Sequence, residues 1–366
     1  DTAYLVLERL EGETNPRHLL RDERYVSARA GLAGELGRIL ARIHAIDATS
    51  IPGLEHLDAL PWLWARYAEL GEPRPAVELG LRWLADHRPP RRGDTVVHGD
   101  FRTGNLLIDP SGLRGVLDWE LVHRGDPMAD LGWLCTKAWR FGSPLPVGGF
   151  GERAELLAGY TEAGGTAPSA ETLRWWECYG TVRWAVLCRH QAQRHLSGAE
   201  PSVELAVLGR KVCEQEHDIL LALGHTAPAD ADTDTDTDTD TDEAPLGQDG
   251  RSIPPHDRPD AAALLDSVRA FLRAVSAESE PVLRFRAAVA ANAVSIAQRE
   301  ALLAPAHARV HRARLAALGC ADDTQLAMAI RDGTLDARFD EVCHAVCDAV
   351  TDKLLVANPA HLSLPA

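Results

Sequence analysis

The chain has 366 residues, a length that points to two folded units rather than one small domain. Lys and Arg number 38 against 54 Asp and Glu, a net charge of −16, which argues against a nucleic-acid or anionic-membrane partner because both call for a basic surface. Hydrophobic residues make up 45%, ordinary for a chain with a packed core, and no apolar run approaches the roughly 18 residues that suggest a membrane span.

The first residue is Asp1, with no apolar leader after it, so the chain is expected to lack its true N-terminus and any targeting segment that stood there. Seven cysteines are spread thinly without a C-x-x-C pair, which suits buried thiols in a reducing compartment, and a cytoplasmic location is the expectation. Cys343, His344 and Cys347 cluster at helical spacing, but two thiols and one imidazole are too few for a closed zinc site.

Tyr4 to Leu10 reads as a strand leading to a turn at Gly12. Leu32, Leu36, Ile39, Leu40 and Ile43 recur at helical spacing and predict a helix over 25–47, and another is expected over 74–87. Short strands follow, then helices from about 127 to 224. Residues 227–250 hold nine acidic residues and no Lys or Arg, much of it as a Thr-Asp repeat. Such a stretch cannot bury apolar area and its charges repel, so 226–257 is expected to be a disordered linker. Its Thr-Asp spacing matches no calcium loop. It supplies nine of the sixteen excess negative charges, so the acidity says little about any active site. Beyond it, 258–366 reads as an all-helical domain: a stripe from Leu264 to Val275, then helices over about 281–303, 305–318, 322–331 and 339–356, with Asp322 or Asp323 as a cap and Gly333 as a stop.

The stretch 95–119 carries the chemistry. Val96 and Val97 end a strand. Asp109-Pro-Ser-Gly112 has turn composition and joins Leu106–Ile108 to Gly115–Leu117 as an antiparallel hairpin. Asn105 stands just before the hairpin and Asp118 just after it, so the two fall at the same open end. One amide oxygen and one carboxylate there suit Mg²⁺, which keeps waters and takes phosphate oxygens for the rest. Asp100, on the loop entering that end, is placed to orient a hydroxyl and take its proton. Positioning a nucleophile, neutralising nucleotide phosphates and holding attacker and leaving group in line is what phosphoryl transfer requires.

His98-Gly-Asp-Phe-Arg-Thr-Gly-Asn105, then Val116-Leu-Asp-Trp-Glu120 and Gly125-Asp-Pro-Met-Ala-Asp-Leu131, resembles the aminoglycoside/choline-kinase-like phosphotransferases. The likeness is strongest to the branch related to the kinase domain of acyl-CoA dehydrogenase fusion proteins, and residues 258–360 resemble an uncharacterised helical domain found fused to such proteins. The resemblance implies an α+β, protein-kinase-like fold over 1–225, mainly its helical C-terminal lobe, plus the separate all-α domain. It implies Mg²⁺ and ATP, and a small-molecule hydroxyl as acceptor: a hydroxyacyl-CoA or hydroxy acid ahead of an aminoglycoside. By the same resemblance Asp100 is catalytic and Asn105 and Asp118 hold the metal. The Glu8 carbonyl and the Leu10 N–H read adenine at the hinge, His44 packs beneath the catalytic loop, and Asp126 and Asp130 brace that loop. His98 supports it, Glu120 stands near the metal, and Asp126 can cap the following helix, whose first turn suits Pro127.

The sequence departs from the family in one respect. A working kinase needs a glycine-rich phosphate loop and a clamping Lys, whereas the three lysines are Lys137, Lys211 and Lys353 and no glycine-rich loop precedes Tyr4. A fragment of a longer kinase, weak in nucleotide binding and turnover, is the expectation; a catalytically silent binding or regulatory module is the alternative. A metallohydrolase built on His98, Asp100, Asp118, His123 and Asp126 is a rival that would hold a transition metal without nucleotide. The basic residues over 172–195 form either a solvated face or the lining of a cleft for an anionic acceptor, while Trp175, Trp176 and Trp184 read as core. Oligomeric state is left open.

Overall fold

The computed structural model describes residues 8–227, 257–259, 263–265, 267–268, 271 and 281–365. In chain order the elements are α1 (Pro16–Arg21), α2 (Val26–His44), α3 (Ala59–Ala68), α4 (Pro75–Asp86), β1 (Thr95–Val97), β2 (Leu106–Asp109), β3 (Gly112–Val116), β4 (His123–Gly125), α5 (Met128–Cys135), α6 (Arg153–Glu162), α7 (Ala170–Leu196), α8 (Val203–Arg210), α9 (Val212–Leu223), α10 (Pro281–Leu318), α11 (Asp323–Arg331) and α12 (Phe339–Ala357). Local chemistry sets several ends. Asn15 accepts from the Arg17 amide at 3.0 Å ahead of Pro16, and Asp322 accepts from the Gln325 amide at 2.8 Å to start α11. Gly224, at φ 80°, ends α9. No described helix is long and apolar enough to cross a membrane.

The chain packs as two compact units, Asp1–Trp62 with His87–Gly180 and Leu63–Asp86 with Thr181–Ala366. The first is α+β. Its hairpin pairs Leu106 with Val116 and carries a bulge between Leu107 and Ile108; β1 pairs antiparallel with β4, Val97 facing His123. The buried stripe of α2 is Leu32, Leu36, Leu40 and Ile43. Helices α2 and α6 touch backbone to backbone: a Cβ on Gly37 would lie 2.1 Å from the Leu156 carbonyl oxygen, and one on Gly159 2.0 Å from that of Gly34. No larger residue fits that crossing.

The second unit is wholly helical among its described residues. One core joins Ala76 and Leu79 of α4, Cys213 and Leu220 of α9, Leu315 and Leu318 of α10, Leu326 and Ile330 of α11, and Val346, Val350 and Leu354 of α12.

Several expectations change. Of the strand expected over 4–10, residues 1–7 lie outside the described residues and 8–10 are irregular; the bridge to the hairpin forms further on, Glu13 with Ile108. The second hairpin strand starts at Gly112 rather than Gly115, because the bulge takes up residues the simple pairing left in the turn. The two helices expected on either side of residue 304 are one 38-residue helix, α10, with Pro305 inside it. Of the linker expected over 226–257, residues 228–256 lie outside the described residues, while Asp257 at its end is described and buried. The expected domain limits at 225 and 258 do not coincide with the compact units, since α4, α8 and α9 pack with the C-terminal helices.

Candidate active site

Strand β1 delivers the chain to His98 with Val96 and Val97 buried behind it. Gly99 then adopts φ +82°, and a Cβ there would lie 2.4 Å from the Leu121 carbonyl oxygen, so the turn into the loop demands glycine. His98 is fully buried and both ring nitrogens are engaged. Nδ1 accepts from the Asp100 amide at 3.1 Å, which leaves Nε2–H to donate to the Leu117 carbonyl at 3.0 Å. One imidazole thus ties the loop to the far end of the hairpin.

Asp130, on α5, accepts from the His98 and Gly99 amides at 2.8 and 2.9 Å and from His44 Nε2 at 3.2 Å. The other nitrogen of His44 lies 2.9 Å from the Tyr160 hydroxyl, so Tyr160 donates to Nδ1 when Nε2 carries the proton. Burial pushes the Asp130 carboxyl up, but His44, His98 and the Gly99 amide together hold it below its usual value. Tyr160 is raised to about 12, first by burial and then by the negative charges of Asp130 and Asp126. Asp126 stands apart from the loop. It accepts from the Arg92 amide at 2.8 Å and from the Met128 amide at 3.0 Å, so it caps the start of α5 and holds the approach to β1, while Asp130 alone grips the loop.

Asp100 and Asn105 meet. Asn105 Nδ2 donates to the Asp100 backbone carbonyl at 3.0 Å and to its carboxylate at 2.6 Å. Two further donors reach the same carboxylate: Trp133 Nε1–H at 2.8 Å and Arg102 Nε at 3.1 and 3.2 Å. The Arg102 guanidinium lies over the Trp139 ring, 4.7 Å from its centre. The Leu117 amide donates to the Asn105 carbonyl at 2.8 Å, so Asp118 is one residue beyond a direct backbone link to Asn105. Asp118 is exposed and takes φ +64°, a left-handed conformation that aspartate, like asparagine, adopts more readily than most residues other than glycine. No hydrogen bond or ion pair from the described residues engages its carboxylate.

Glu120 is exposed and lines an open cleft with Leu121, Val122, His123, Pro52 and Trp62. Glu8 and Leu10 are both exposed outside any ladder; a Cβ on Gly115 would lie 3.2 Å from Leu10 Cδ1, which sets Leu10 against β3. The metallohydrolase set is not assembled: both nitrogens of His98 and both oxygens of Asp126 are occupied by the chain itself. The basic residues late in α7 do not share one environment: Arg194 is exposed and paired with Glu200. Arg183 and Arg189 are buried, Arg189 on the Glu72 carbonyl at 2.6 Å, and His190 bonds the Arg66 carbonyl at 2.8 Å.

Trp133, Tyr160 and Arg102 are the site residues the sequence reading missed. Trp133 follows Asp130 by three on α5 and so shares its face; that spacing was the available signal. Arg102 lay inside the motif, two residues after Asp100. Nothing in the sequence marked Tyr160.

Residues 1–176 match the model of the phosphotransferase enzyme family, and residues 277–361 match a domain of unknown function, DUF6285. The mouse acyl-CoA dehydrogenase family member 10 is 34% identical over 131 residues, covering 33% of this chain and 12% of the relative. The chicken acyl-CoA dehydrogenase family member 11 is 27% identical over 202 residues, 48% of this chain and 26% of the relative. The chain therefore spans only a minor part of the curated relatives it matches. A solved Ralstonia eutropha protein assigned as an aminoglycoside phosphotransferase is 20% identical over 60% of this chain and 71% of that one, with a TM-score of 0.46. With the loop from His98 to Asn105 and the hairpin that follows it inside the matched stretch, residues 1–176 of this chain belong to the phosphotransferase enzyme family.

Proposed function

We propose that the chain is an ATP- and Mg²⁺-dependent phosphotransferase acting on a hydroxyl of a small molecule. The observation that carries this is the contact between Asp100 and Asn105 at the open end of the hairpin, with Asp118 one residue past the Asn105–Leu117 link. The donor set fits a hard cation. Asn105 spends its Nδ2 on Asp100, which leaves the side-chain oxygen as its free acceptor, and Asp118 offers a second oxygen. Mg²⁺ bound there would neutralise nucleotide phosphate charge.

The residues divide the remaining work. Asp100 orients the acceptor hydroxyl and takes its proton, and Trp133 and Asn105 fix its carboxylate for that task. Arg102 covers both oxygens of Asp100, so an arriving hydroxyl displaces it and frees a guanidinium for phosphate oxygens. The backbone at Glu8 and Leu10 is assigned to adenine. The relatives' names favour a hydroxyacyl-CoA or hydroxy acid over an aminoglycoside as acceptor.

The test is transfer of label from radiolabelled ATP to a hydroxyacyl-CoA, a hydroxy acid and an aminoglycoside, by the wild type and by Asp100→Asn. Loss of a general base should lower the rate roughly 10²–10⁴-fold. Asn105→Ala and Asp118→Ala should abolish the Mg²⁺ dependence of ATP binding in calorimetry. Equal rates for wild type and Asp100→Asn, or ATP binding indifferent to Mg²⁺, would overturn the reading.

A further inference from the structure

In the second unit, helix α9 places His217 and Asp218 next to one another, and the turn Pro359–Ser363 brings His361 against them. All three are buried, at 2%, 3% and 5% exposure. His361 Nε2 lies 2.9 Å from Asp218 Oδ1, His217 Nδ1 lies 3.9 Å from the same oxygen, and the three donor atoms all fall within 4.8 Å of one another. His217 Nδ1 is shut away from solvent with no hydrogen-bond partner. A buried ring nitrogen without a partner is costly, and here it faces a carboxylate that a second imidazole already touches.

We propose that His217, Asp218 and His361 form a binding site for a divalent transition metal of the zinc class. Tetrahedral coordination at about 2.1 Å sets donors about 3.4 Å apart, and the two separations to Asp218 Oδ1, 2.9 and 3.9 Å, bracket that spacing. Two imidazoles and one carboxylate are a donor set that zinc takes readily, whereas Mg²⁺ and Ca²⁺ want oxygen throughout. Three protein donors leave one position for water. The site is remote in sequence from the 98–118 loop and independent of the phosphotransferase reading. Its consequence is structural. The ion joins α9 to a turn more than 140 residues later, beside the bond from Asn358 Nδ2 to Glu214 at 3.0 Å, and fixes the turn Pro359–Ser363.

The experiment uses the full chain, dialysed against a chelator and titrated with CoCl₂. One equivalent should produce the visible d–d bands of a tetrahedral cobalt ion without the near-ultraviolet sulfur-to-cobalt band, which separates this site from Cys343 and Cys347. Zinc should displace the cobalt and, at a hundredfold excess over its Kd, raise the unfolding midpoint by roughly 5–10 °C. His217→Gln and His361→Gln should lose the cobalt bands, and Cys343→Ser with Cys347→Ser should keep them. No tetrahedral band in the wild type, a band with sulfur character, or unchanged binding by folded His217→Gln overturns the site. An ordinary His361–Asp218 hydrogen bond is then what remains. Should either histidine variant fail to fold, the wild-type spectrum and the zinc-induced shift decide.

Discussion

A carboxylate without solvent is costly unless its partners compensate, and Asp130 is fully buried. Its compensation is the pair of backbone amides at His98 and Gly99 and the imidazole of His44. Because these hold the folded-state pKa below the unfolded one, the charged form stabilises the fold. That contribution is complete above the unfolded carboxylate pKa of about 4 and fades as pH falls through the lower folded value. The stability lead of wild type over Asp130→Asn should therefore be constant from about pH 7 to pH 5 and shrink below about pH 4. Urea denaturation across that window measures it, and a lead that stays flat to pH 3 would remove Asp130 from this role. Asp130 was legible because its spacing from His98 is a motif property. Tyr160 was not, since its part depends on which turn of α6 passes His44, and no local pattern encodes that.

Helix α6 reaches His44 only because three glycines let it lie on α2. Gly34, Gly37 and Gly159 bring the two backbones into contact, and Tyr160 follows Gly159 directly. A methyl at residue 159 would sit 2.0 Å from the Gly34 carbonyl oxygen, which neither backbone can yield without the helices parting. Gly159→Ala should cost about 2 kcal/mol or more, against the small gain that alanine brings in an unobstructed helix. Thermal unfolding beside a Gly31→Ala control, a glycine inside α2 where no atom lies within 4 Å, separates steric cost from loss of glycine freedom; equal shifts would mean the crossing does not matter. Periodicity revealed the buried stripe of α2, but a glycine in a helical pattern looks like a weak helix position rather than a crossing point. The same limit applies to α10. Proline normally breaks a helix, yet Ala293 and Ile296 before Pro305 and Leu315 and Leu318 after it are all buried, and that packing carries the helix through.

At the scale of the whole molecule, sequence marked the acidic stretch but not how the helices on either side of it group. An amphipathic stripe says which face is buried and not what covers it. In the second unit the cover includes charge. Glu216 of α9 is fully buried and takes Arg74 at 2.6 and 3.1 Å and Lys353 of α12 at 3.0 Å, while buried Glu78 of α4 is bound by Arg331 of α11. Burial works against the charged form of Glu216, but the two cations more than offset it and hold the carboxyl below its usual value. Removing one member of such a set strands the others without solvent. Glu216→Gln should accordingly cost about 3–5 kcal/mol. Lys353→Met should cost less, because Arg74 still serves Glu216. The double variant should be more stable than the sum of the two losses predicts, by about 1–3 kcal/mol, since the second change removes a cation the first left unpaired. Denaturant unfolding of the four proteins completes the cycle. Strict additivity would show that Lys353 and Glu216 do not hold the C-terminal helices to α9 through their charges, and that the apolar contacts of Cys213 and Leu220 with Val350 and Leu354 do so alone.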